Sequence, residues 1–516
     1  MTGDWLRRHM EILASDEMEG RGTGTGGYAK AARYVADRFQ ELGLEGMGDR
    51  GGYEQRVPLL RSRLVPGSLR CRFGKDGRTV ELIPDEEFVG AAGFGAAHDE
   101  VTAPVVFLGY GIVAPEYGHD DYGQVDVHGQ IAVVLSGAPA RFETDPRAFY
   151  SSPEGKQRLA ASRGAVGLIT VRTPADLERL PWKVGVTNAG VSAMRWLDPA
   201  GLPFDGDSQL VGAVSLAAEG ARRFLAFTGH DLDELLARRE AGETGGIPLG
   251  VTAALARDSE HSHLACANLV GLLRGSDPIL REDYLVCSAH LDHLGTREAA
   301  SGREIFNGAY DNAAGVGTLL CMAATMARAE PRPRRSVLFV AFTAEEKGLR
   351  GSSFFVRNPP VAVDRLVANI NIDMPYLGFP IADIEAIGAD HSTLHEAVVR
   401  AAAAVGLEVT SDRLPEQVRF IRSDQFSFVK EGIPGLNLKP GARSSDPATE
   451  GKALLSDYLR NHYHQVSDKL DLAYSPAGAK RYLGAAIELG LLVANQDERP
   501  RWNERDFFGQ RFGRTA

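Results

Sequence analysis

The spacing of hydrophobic residues predicts an amphipathic helix near the start of the chain. Apolar side chains recur every three or four residues in YAKAARYVADRFQELG, residues 28–43, and this spacing puts them on one face of an α-helix. Gly43 ends the run, as glycine often does just beyond a helix C-terminus. The preceding stretch is GRGTGTGG, residues 20–27, whose glycines predict a loop.

Short apolar runs separated by Gly, Pro and Asp begin near residue 100. They are PVVFLGYGI (104–112), GQIAVVLSG (129–137) and GAVGLITV (164–171), and each is typical of a strand. A helix is expected between the last two runs, over EGKQRLAASRGA (154–165). The pattern predicts a compact β-rich module that ends near 245, where ARREAGETGGIPLG (237–250) is charged and rich in glycine.

Strands and helices alternate in the rest of the chain. Continuous apolar runs occupy 284–292, 336–346 and 366–374, and helical spacing follows Asp311. Strands without polar alternation are buried on both faces, so the pattern predicts an α/β fold with a sheet covered by helices. In such folds ligands bind beyond the carboxyl ends of the strands.

Composition narrows the function classes. The 516 residues include 57 Lys and Arg against 68 Asp and Glu, a formal charge of -11 without a basic stripe, which argues against nucleic acid as a partner. No apolar run is long enough to span a membrane. The N-terminus has no apolar core of a signal peptide, so the expected location is cytoplasmic, or exported if a leader has been removed. The four widely spaced cysteines are expected to be buried free thiols.

Acidic and imidazole side chains stand at the end of each of the three predicted strands. His290 and Asp292 end the first, Glu345 and Glu346 the second, and Asp373 the third. One such ending is ordinary loop chemistry, but three of them, with Asp311 and the stretch NHYHQVSD (461–468), indicate a shared site. Imidazole and carboxylate ligands suit Zn²⁺.

Asp311 has two interpretations. An aspartate before an apolar helical run can cap the helix by accepting backbone N–H groups. Alternatively, its two carboxylate oxygens can bridge two metals about 3.5–4 Å apart. Its small neighbours, Gly308, Ala309, Ala313 and Ala314, would leave room for a close approach to the metals.

Glu345 and Glu346 are adjacent at a strand end, so their side chains are expected to point in different directions. One can then bind metal while the other accepts a proton from metal-activated water. A solvated acidic pair that opens a loop is the alternative interpretation.

Taken in order, the motifs HLD, GAYDNAAG, TAEEKGLRGS, NID, RSD and YHxxxD resemble those of the co-catalytic di-zinc aminopeptidases, which include bacterial secreted aminopeptidases, aminopeptidase Y and glutamate carboxypeptidase relatives. The resemblance implies a zinc exopeptidase fold: a mixed, largely parallel central sheet flanked by helices, with an inserted β-rich protease-associated domain. The implied division is an N-terminal part of the peptidase domain (1–95), the inserted domain (96–248), the main peptidase part (249–500) and a C-terminal tail (501–516).

The same resemblance implies an aminopeptidase that acts on peptides with two Zn²⁺ per chain. One zinc would be held by His290 and Asp373, and the other by Glu346 and His464, with Asp311 bridging them. The remaining implied roles are Glu345 as general base, Asp292 as the carboxylate that orients His290, Tyr463 as a donor to the reaction's oxyanion, and Arg422, with Asp373 and Glu345, as substrate contacts. Tyr463 is equally interpretable as a packing aromatic.

The sequence departs from the family's usual pattern at three places, and three other functions remain as alternatives to an aminopeptidase. Gln425 stands where the family often has histidine, PYLGFP follows NIDM, and His293 and His462 match no family ligand and are interpreted as surface or supporting residues.

A carboxypeptidase for acidic C-termini would need an arginine cluster that Arg419 and Arg422 alone do not make. A glutaminyl cyclase commonly uses one zinc, and a receptor-like binding module would have lost ligands.

Overall fold

The computed structural model describes residues 3–204, 210–300, 302–414 and 417–514. Its α-helices are α1 (Gly3–Leu13), α2 (Gly26–Glu41), α3 (Thr144–Tyr150), α4 (Pro153–Ser162), α5 (Pro174–Arg179), α6 (Trp182–Ala189), α7 (Ala218–Thr228), α8 (Leu232–Glu240), α9 (Ala314–Ala327), α10 (Arg350–Arg357), α11 (Leu394–Ala404), α12 (Gln425–Val429), α13 (Gly451–Asn461), α14 (Pro476–Asn495) and α15 (Phe507–Phe512).

The β-strands are β1 (Glu45–Gly46), β2 (Glu54–Leu64), β3 (Arg70–Lys75), β4 (Arg78–Glu81), β5 (Phe88–Gly90), β6 (His98–Phe107), β7 (Val113–Ala114), β8 (His119–Asp120), β9 (Ile131–Leu135), β10 (Gly167–Val171), β11 (Ala193–Trp196), β12 (Gly212–Leu216), β13 (Ile247–Leu273), β14 (Tyr284–His290), β15 (Gly295–Ala299), β16 (Gly302–Phe306), β17 (Ser336–Phe342), β18 (Leu366–Asn371), β19 (Asp383–Ile387), β20 (Glu408–Thr410) and β21 (Gly435–Pro440).

The chain divides into two compact units. The first comprises Met1–Pro58, Ala265–Leu414 and Arg419–Ala516, and the second comprises Leu59–Leu264 and Pro415–Val418. All the candidate site residues belong to the first unit.

The sheet of the first unit places the three predicted strands side by side. β14 is parallel to β17 on one side and to β18 on the other, and β18 is parallel to β21. β13 is antiparallel to β17, and β19, which is parallel to β20, is antiparallel to β21. The register pairs His290 with Phe342 and Ser288 with Asn371, so the carboxyl ends of these strands meet at one edge. The predicted mixed, largely parallel sheet is confirmed.

Burial on both faces explains the continuous apolar runs. Every residue of β14, β17 and β18 is buried, and α9 is buried on nearly all sides because α1 and α14 pack against it. A helix that is apolar all round requires such a covered position. The helix predicted near the N-terminus is α2, which is capped by the Thr25 side chain and followed by Gly43 at a φ of 70°.

The second unit has its own sheet with a parallel centre. β6, β9, β10 and β12 pair in parallel in that order, while β5 is antiparallel to β12, and β3 and β6 are each antiparallel to β13. Six α-helices, α3 to α8, belong to the same unit. The second unit, in its described residues, therefore contains more helix than was expected for a β-rich module. The sequence did not predict most of these helices because they are too short to show a clear apolar period. A protease-associated identity stays a prediction.

The unit boundaries differ from the predicted limits of 96–248. Residues 59–95 and 249–264 lie in the second unit, because β3 and the first part of β13 pair within its sheet. The glycine-rich stretch that suggested a boundary near 245 contains the turn between α8 and β13. The expected C-terminal tail, of which 515–516 lie outside the described residues, contains α15, and its Phe508 is buried.

None of the helices described here has the length and apolarity needed to cross a membrane. All four cysteines are buried free thiols, as predicted.

Candidate metal centre

Two imidazoles and three carboxylates converge where the strands of the first unit end. His290 Nε2 lies 3.3 Å from Asp311 Oδ1 and 3.3 Å from Asp373 Oδ1. His464 Nε2 lies 3.1 Å from Asp311 Oδ2 and 3.2 Å from Glu346 Oε2. Asp311 thus turns one oxygen toward each histidine, and the structure brings together all five residues expected to bind metal.

The spacing of these atoms fits zinc. Ligands at 2.0–2.1 Å from a tetrahedral zinc are about 3.3 Å from one another, and the four separations between histidine nitrogens and carboxylate oxygens are 3.1–3.3 Å. Ligand atoms of His290, Asp311 and Glu346 all lie within 4.8 Å of one another. Imidazole and carboxylate donors are also the types that zinc accepts.

Asp311 does not cap α9, so the capping interpretation is wrong for this residue. The N-cap position is Ala313, and the N–H of Gly315 in the first turn of α9 donates to Asn312 Oδ1 at 3.0 Å. Asp311 lies in the turn Ala309–Ala313 that precedes the helix. Its own N–H donates to Asp468 Oδ2 at 3.0 Å, and the N–H of Tyr310 donates to Asp468 Oδ1 at 3.1 Å. The Asp468 carboxylate therefore holds the turn that carries Asp311.

Gly308 begins the same turn and shows why small residues surround Asp311. Its φ is 59°, and a Cβ there would lie 2.2 Å from the carbonyl oxygen of Asp311 and 2.6 Å from Cδ2 of His293. Any larger side chain at this position would displace one of these groups. Gly308 thus allows a close approach within the turn itself, while the approach of Asp311 to metals stays a prediction.

The two adjacent glutamates make different contacts. Glu346 Oε1 lies 2.8 Å from His293 Nδ1, and its other oxygen faces His464. For the Glu345 carboxylate, the described residues offer no hydrogen-bond partner. The backbone N–H groups of Glu345 and Glu346 donate to the two oxygens of Asp292 at 3.0 and 3.3 Å. Asp292 therefore fixes the turn on which both glutamates lie.

The contacts of Asp292 differ from the expected ones. His290 Nδ1 lies 3.0 Å from the backbone carbonyl oxygen of Asp292, so the main chain orients the imidazole and the carboxylate does not. The carboxylate is engaged by the two glutamate amides and by the hydroxyl of Thr23, which donates to Oδ2 at 3.0 Å. A histidine that binds metal through Nε2 needs a hydrogen-bond acceptor at Nδ1 to fix its ring. A backbone carbonyl can fill this role as a carboxylate does.

Mutual charge sets the protonation of the cluster. Burial opposes charge on Asp311 and Glu346, but hydrogen bonds and attraction from His290, His293 and His464 bring the pKa of both carboxyls below their usual values. Burial, reinforced by the negative charge of Glu346, raises the pKa of Glu345 well above its usual value. Of the two glutamates, Glu345 is therefore the one suited to carry a proton.

The remaining predicted residues lie around the cluster. Tyr463 stacks its ring on His464 with ring centres 3.9 Å apart, and burial raises the pKa of its phenol well above the usual value. Arg422 is exposed. Gln425 is buried and donates from Nε2 to the carbonyl of Phe420 at 2.6 Å. His462 lies 2.9 Å from the hydroxyl of Ser467.

Three residues support the cluster although the sequence did not place them beside the ligands. Asp468 had a signal, since it ends the YHxxxD motif. His293 was interpreted as a surface or supporting residue, and it is fully buried against Glu346. Lys439 on β21 had no signal: its Nζ donates to the backbone carbonyl of Asp373 at 2.7 Å, and its charge lowers the pKa of Asp373 against the effect of burial.

Comparison with known proteins finds a peptidase family match in part of the chain. Residues 268–488 match the model of Peptidase family M28. Leupeptin-inactivating enzyme 1 of Streptomyces exfoliatus is 28% identical over 189 residues, which are 36% of this chain and 38% of the relative. The matched segment thus spans well under half of that curated relative.

One solved structure supports the fold, and a second is similar at a lower level. An aminopeptidase from Aneurinibacillus sp. strain AM-1 superposes with a TM-score of 0.54 at 19% identity, covering 96% of this chain and 95% of that chain. The zinc aminopeptidase BSAP from Bacillus subtilis superposes with a TM-score of 0.45 at 19% identity, covering 96% of each chain. The peptidase resemblance that the motifs suggested is confirmed for residues 268–488, which carry His290, Asp311, Glu345, Glu346, Asp373 and His464 and match Peptidase family M28. The inserted protease-associated domain and the number of zinc ions stay predictions.

Proposed function

We propose that the chain is a zinc-dependent aminopeptidase with two zinc ions in one site. The observation that carries this proposal is the division of Asp311 between two histidines, with one oxygen 3.3 Å from His290 and the other 3.1 Å from His464. Asp373 and Glu346 complete the two halves of the set. A carboxylate shared in this way is what a pair of metals requires. The names of the matched family and relatives, which include peptidases and aminopeptidases, agree with this function.

The reaction adds water across a peptide bond: the C–N bond breaks, OH goes to the carbonyl carbon and the proton goes to the leaving amine. Zinc, when bound, lowers the pKa of water and polarises the carbonyl. Glu345 accepts the water proton at its carboxylate and returns it to the amine nitrogen. Its raised pKa suits both transfers. Tyr463 keeps its phenolic proton and is the group proposed to donate to the carbonyl oxygen.

The surroundings favour an N-terminal over a C-terminal substrate group. A carboxypeptidase would need free cations for the terminal carboxylate, but Arg419 is already held by Glu385 at 3.0 Å and by Asp412. The buried acids of the site suit a protonated N-terminal amine instead. A receptor-like module that has lost its ligands is not favoured, because all five proposed ligands are present in the sequence. Asp373 and Glu345 are the proposed contacts of the peptide's first residue, with Arg422 further out.

The test combines metal content with substrate class. Zinc per chain is measured by elemental analysis, and release is followed before and after chelation from aminoacyl-nitroanilides with free and with acetylated N-termini and from N-acetylated peptides with a free C-terminal carboxylate. The proposal expects about two zincs and chelator-sensitive release from the free substrates alone. Release only from substrates with a free C-terminal carboxylate would instead assign a carboxypeptidase. A chain that takes up no zinc on reconstitution would refute the metal site.

The proposed role of Glu345 as general base can be tested separately with a single variant. Glu345→Gln keeps the shape of the side chain but cannot accept a proton, so turnover should fall by about 10²–10⁴-fold while zinc content stays at the wild-type level. Glu498→Gln makes the same chemical change on an exposed side chain and should leave both unchanged. Turnover of the Glu345 variant within threefold of wild type would show that another group takes the proton.

A further inference from the structure

Arg21 is a fully buried arginine that joins the two loops carrying the candidate ligands. Its Nε donates to the carbonyl of Leu291 at 2.9 Å, directly after the ligand His290. Its Nη1 donates to Asn307 at 2.7 Å and its Nη2 to Gly308 at 2.9 Å, just before the turn of Asp311. A fourth bond, 2.6 Å long, reaches the carbonyl of Leu13.

The segment around Arg21 reinforces the same junction. The carbonyl of Arg21 accepts the N–H of His293 at 3.2 Å, and Gly22 forms a bridge to His293. The hydroxyl of Thr23 donates to Asp292. Gly20 leaves no space for a side chain, since a Cβ there would lie 2.3 Å from the carbonyl oxygen of Gly295. Residues 20–23, which lie in the stretch predicted to be loop, are thus fitted tightly against the backbone beside the ligands.

The chemistry of arginine explains why this position carries it. A guanidinium presents five N–H donors in a rigid plane, whereas an ammonium offers three on a flexible stem. The carbonyls of Leu291, Asn307 and Gly308 are bonded from three of its nitrogens. Burial lowers the pKa of Arg21 to about 10, while the carboxylates of Asp311, Asp468, Asp292 and Glu346 act to raise it. The group therefore stays protonated at neutral pH and faces a region of negative charge.

We infer that Arg21 is a positioning residue of the metal centre: its planar set of donors fixes the backbone after His290 relative to the backbone before Asp311. The inference rests on the proposed function, because it concerns the two ligands that would hold the first zinc. Supporting groups that orient ligands typically change metal affinity by about 10–100-fold. Arg21 acts on ligand backbone rather than on ligand side chains, so one residue sets the spacing of both.

Arg335 supplies a matched control. It is also fully buried in the first unit, and it donates to main-chain carbonyls of Val493, Gln496 and Asp497. None of these carbonyls adjoins a candidate ligand. Arg21→Lys and Arg335→Lys therefore remove the same kind of donor set, one beside the site and one away from it, while both keep the positive charge.

The measurement is zinc affinity of the stripped, folded protein by competition with a chromophoric chelator, together with the visible absorption of the Co²⁺-loaded protein. Arg21→Lys should weaken zinc binding by about 10–100-fold and change the cobalt absorption bands, which report ligand geometry. Arg335→Lys should lower thermal stability and leave both readouts at wild-type values. Thr23→Val, which removes one hydroxyl beside Asp292 and no charge, serves as a milder probe of the same segment and should weaken zinc less.

Clear results would overturn the inference. If Arg21→Lys is folded and binds zinc as tightly as the wild type with the same cobalt spectrum, Arg21 is structural only. The same conclusion follows if Arg21→Lys and Arg335→Lys weaken zinc binding equally, since that loss would come from general destabilisation. If Arg21→Lys does not fold, an unchanged zinc affinity in Thr23→Val overturns the positioning role. Failure of the proposed function is distinct, because the wild-type protein itself would then bind no zinc.

Discussion

Asp468→Asn should loosen the turn that carries Asp311. The fully buried carboxylate accepts the N–H groups of Tyr310 and Asp311 at 3.1 and 3.0 Å and the hydroxyl of Tyr458 at 3.2 Å. Asparagine has a single acceptor oxygen, so its amide NH₂ must face one of the two backbone N–H groups. One hydrogen bond to a charged acceptor, about 1.5–3 kcal/mol, is lost.

Two further terms adjust this figure. The N–H left without an acceptor is buried and adds to the cost. Burial also raises the pKa of Asp468, so replacing the ion with a neutral amide recovers part of the loss. We expect a net decrease of about 2 kcal/mol in the free energy of unfolding of the metal-free protein, which is roughly 30-fold in the equilibrium constant.

Urea titration of the stripped protein measures this change, and the chelator competition measures zinc affinity, which should fall by about 10–100-fold. Asp506→Asn is the control: it weakens the cap of α15 at Gly509 and the contact with His391 but adjoins no ligand, so only stability should fall. If Asp468→Asn unfolded within about 0.5 kcal/mol of wild type and bound zinc normally, the reasoning about the turn would be wrong.

Three further outcomes follow from the structure. Burial lowers the pKa of His9 to about 4, so between pH 6.5 and 4 the folded state binds fewer protons than the unfolded one. The free energy of unfolding should therefore fall by up to about 3 kcal/mol as the pH drops from 6.5 to 4. In His9→Asn, urea titrations should show a smaller dependence of this free energy on pH, and an unchanged dependence would contradict the assignment. Gly308→Ala should lower zinc per chain and the melting temperature together, since its Cβ would meet Asp311; normal values of both would show that the turn adapts. Phe342→Ala should lower the free energy of unfolding, measured by calorimetry, by about 3–5 kcal/mol, because Phe342 is fully buried against Phe355 and Phe428. A decrease below about 1 kcal/mol would mean that neighbouring side chains move into the space.

Much of the site could be predicted because its residues lie where local pattern is strongest. β14, β17 and β18 are recognisable as continuous apolar runs, and in parallel strands the carboxyl ends coincide. His290 is the last residue of β14, and Glu346 and Asp373 follow β17 and β18 within a few residues. Once the strands are known, their convergence is a matter of topology rather than of side-chain detail.

Other features could not be predicted, for physical reasons. The sequence left Asp311 open to a capping interpretation, because an aspartate before a helix can accept its first N–H groups, and only the folded turn shows that Gly315 donates to Asn312 instead. The second unit was expected to be richer in strands because short helices such as α5 and α6 leave no clear period. The second unit begins at Leu59, before the predicted start at 96, because β3 pairs with β13 across a long stretch of sequence.

The sequence by itself determined the α/β class, the strands of the first unit and the residue types of a zinc site, because these depend on burial periodicity and on chemistry carried by single residues. The tertiary structure alone decided how that chemistry is held in place. Arg21, Asp468 and Lys439 reach the ligand loops through main-chain hydrogen bonds. Any polar side chain of sufficient length could make such bonds, so their identity follows from three-dimensional proximity and leaves no periodic signal in the chain.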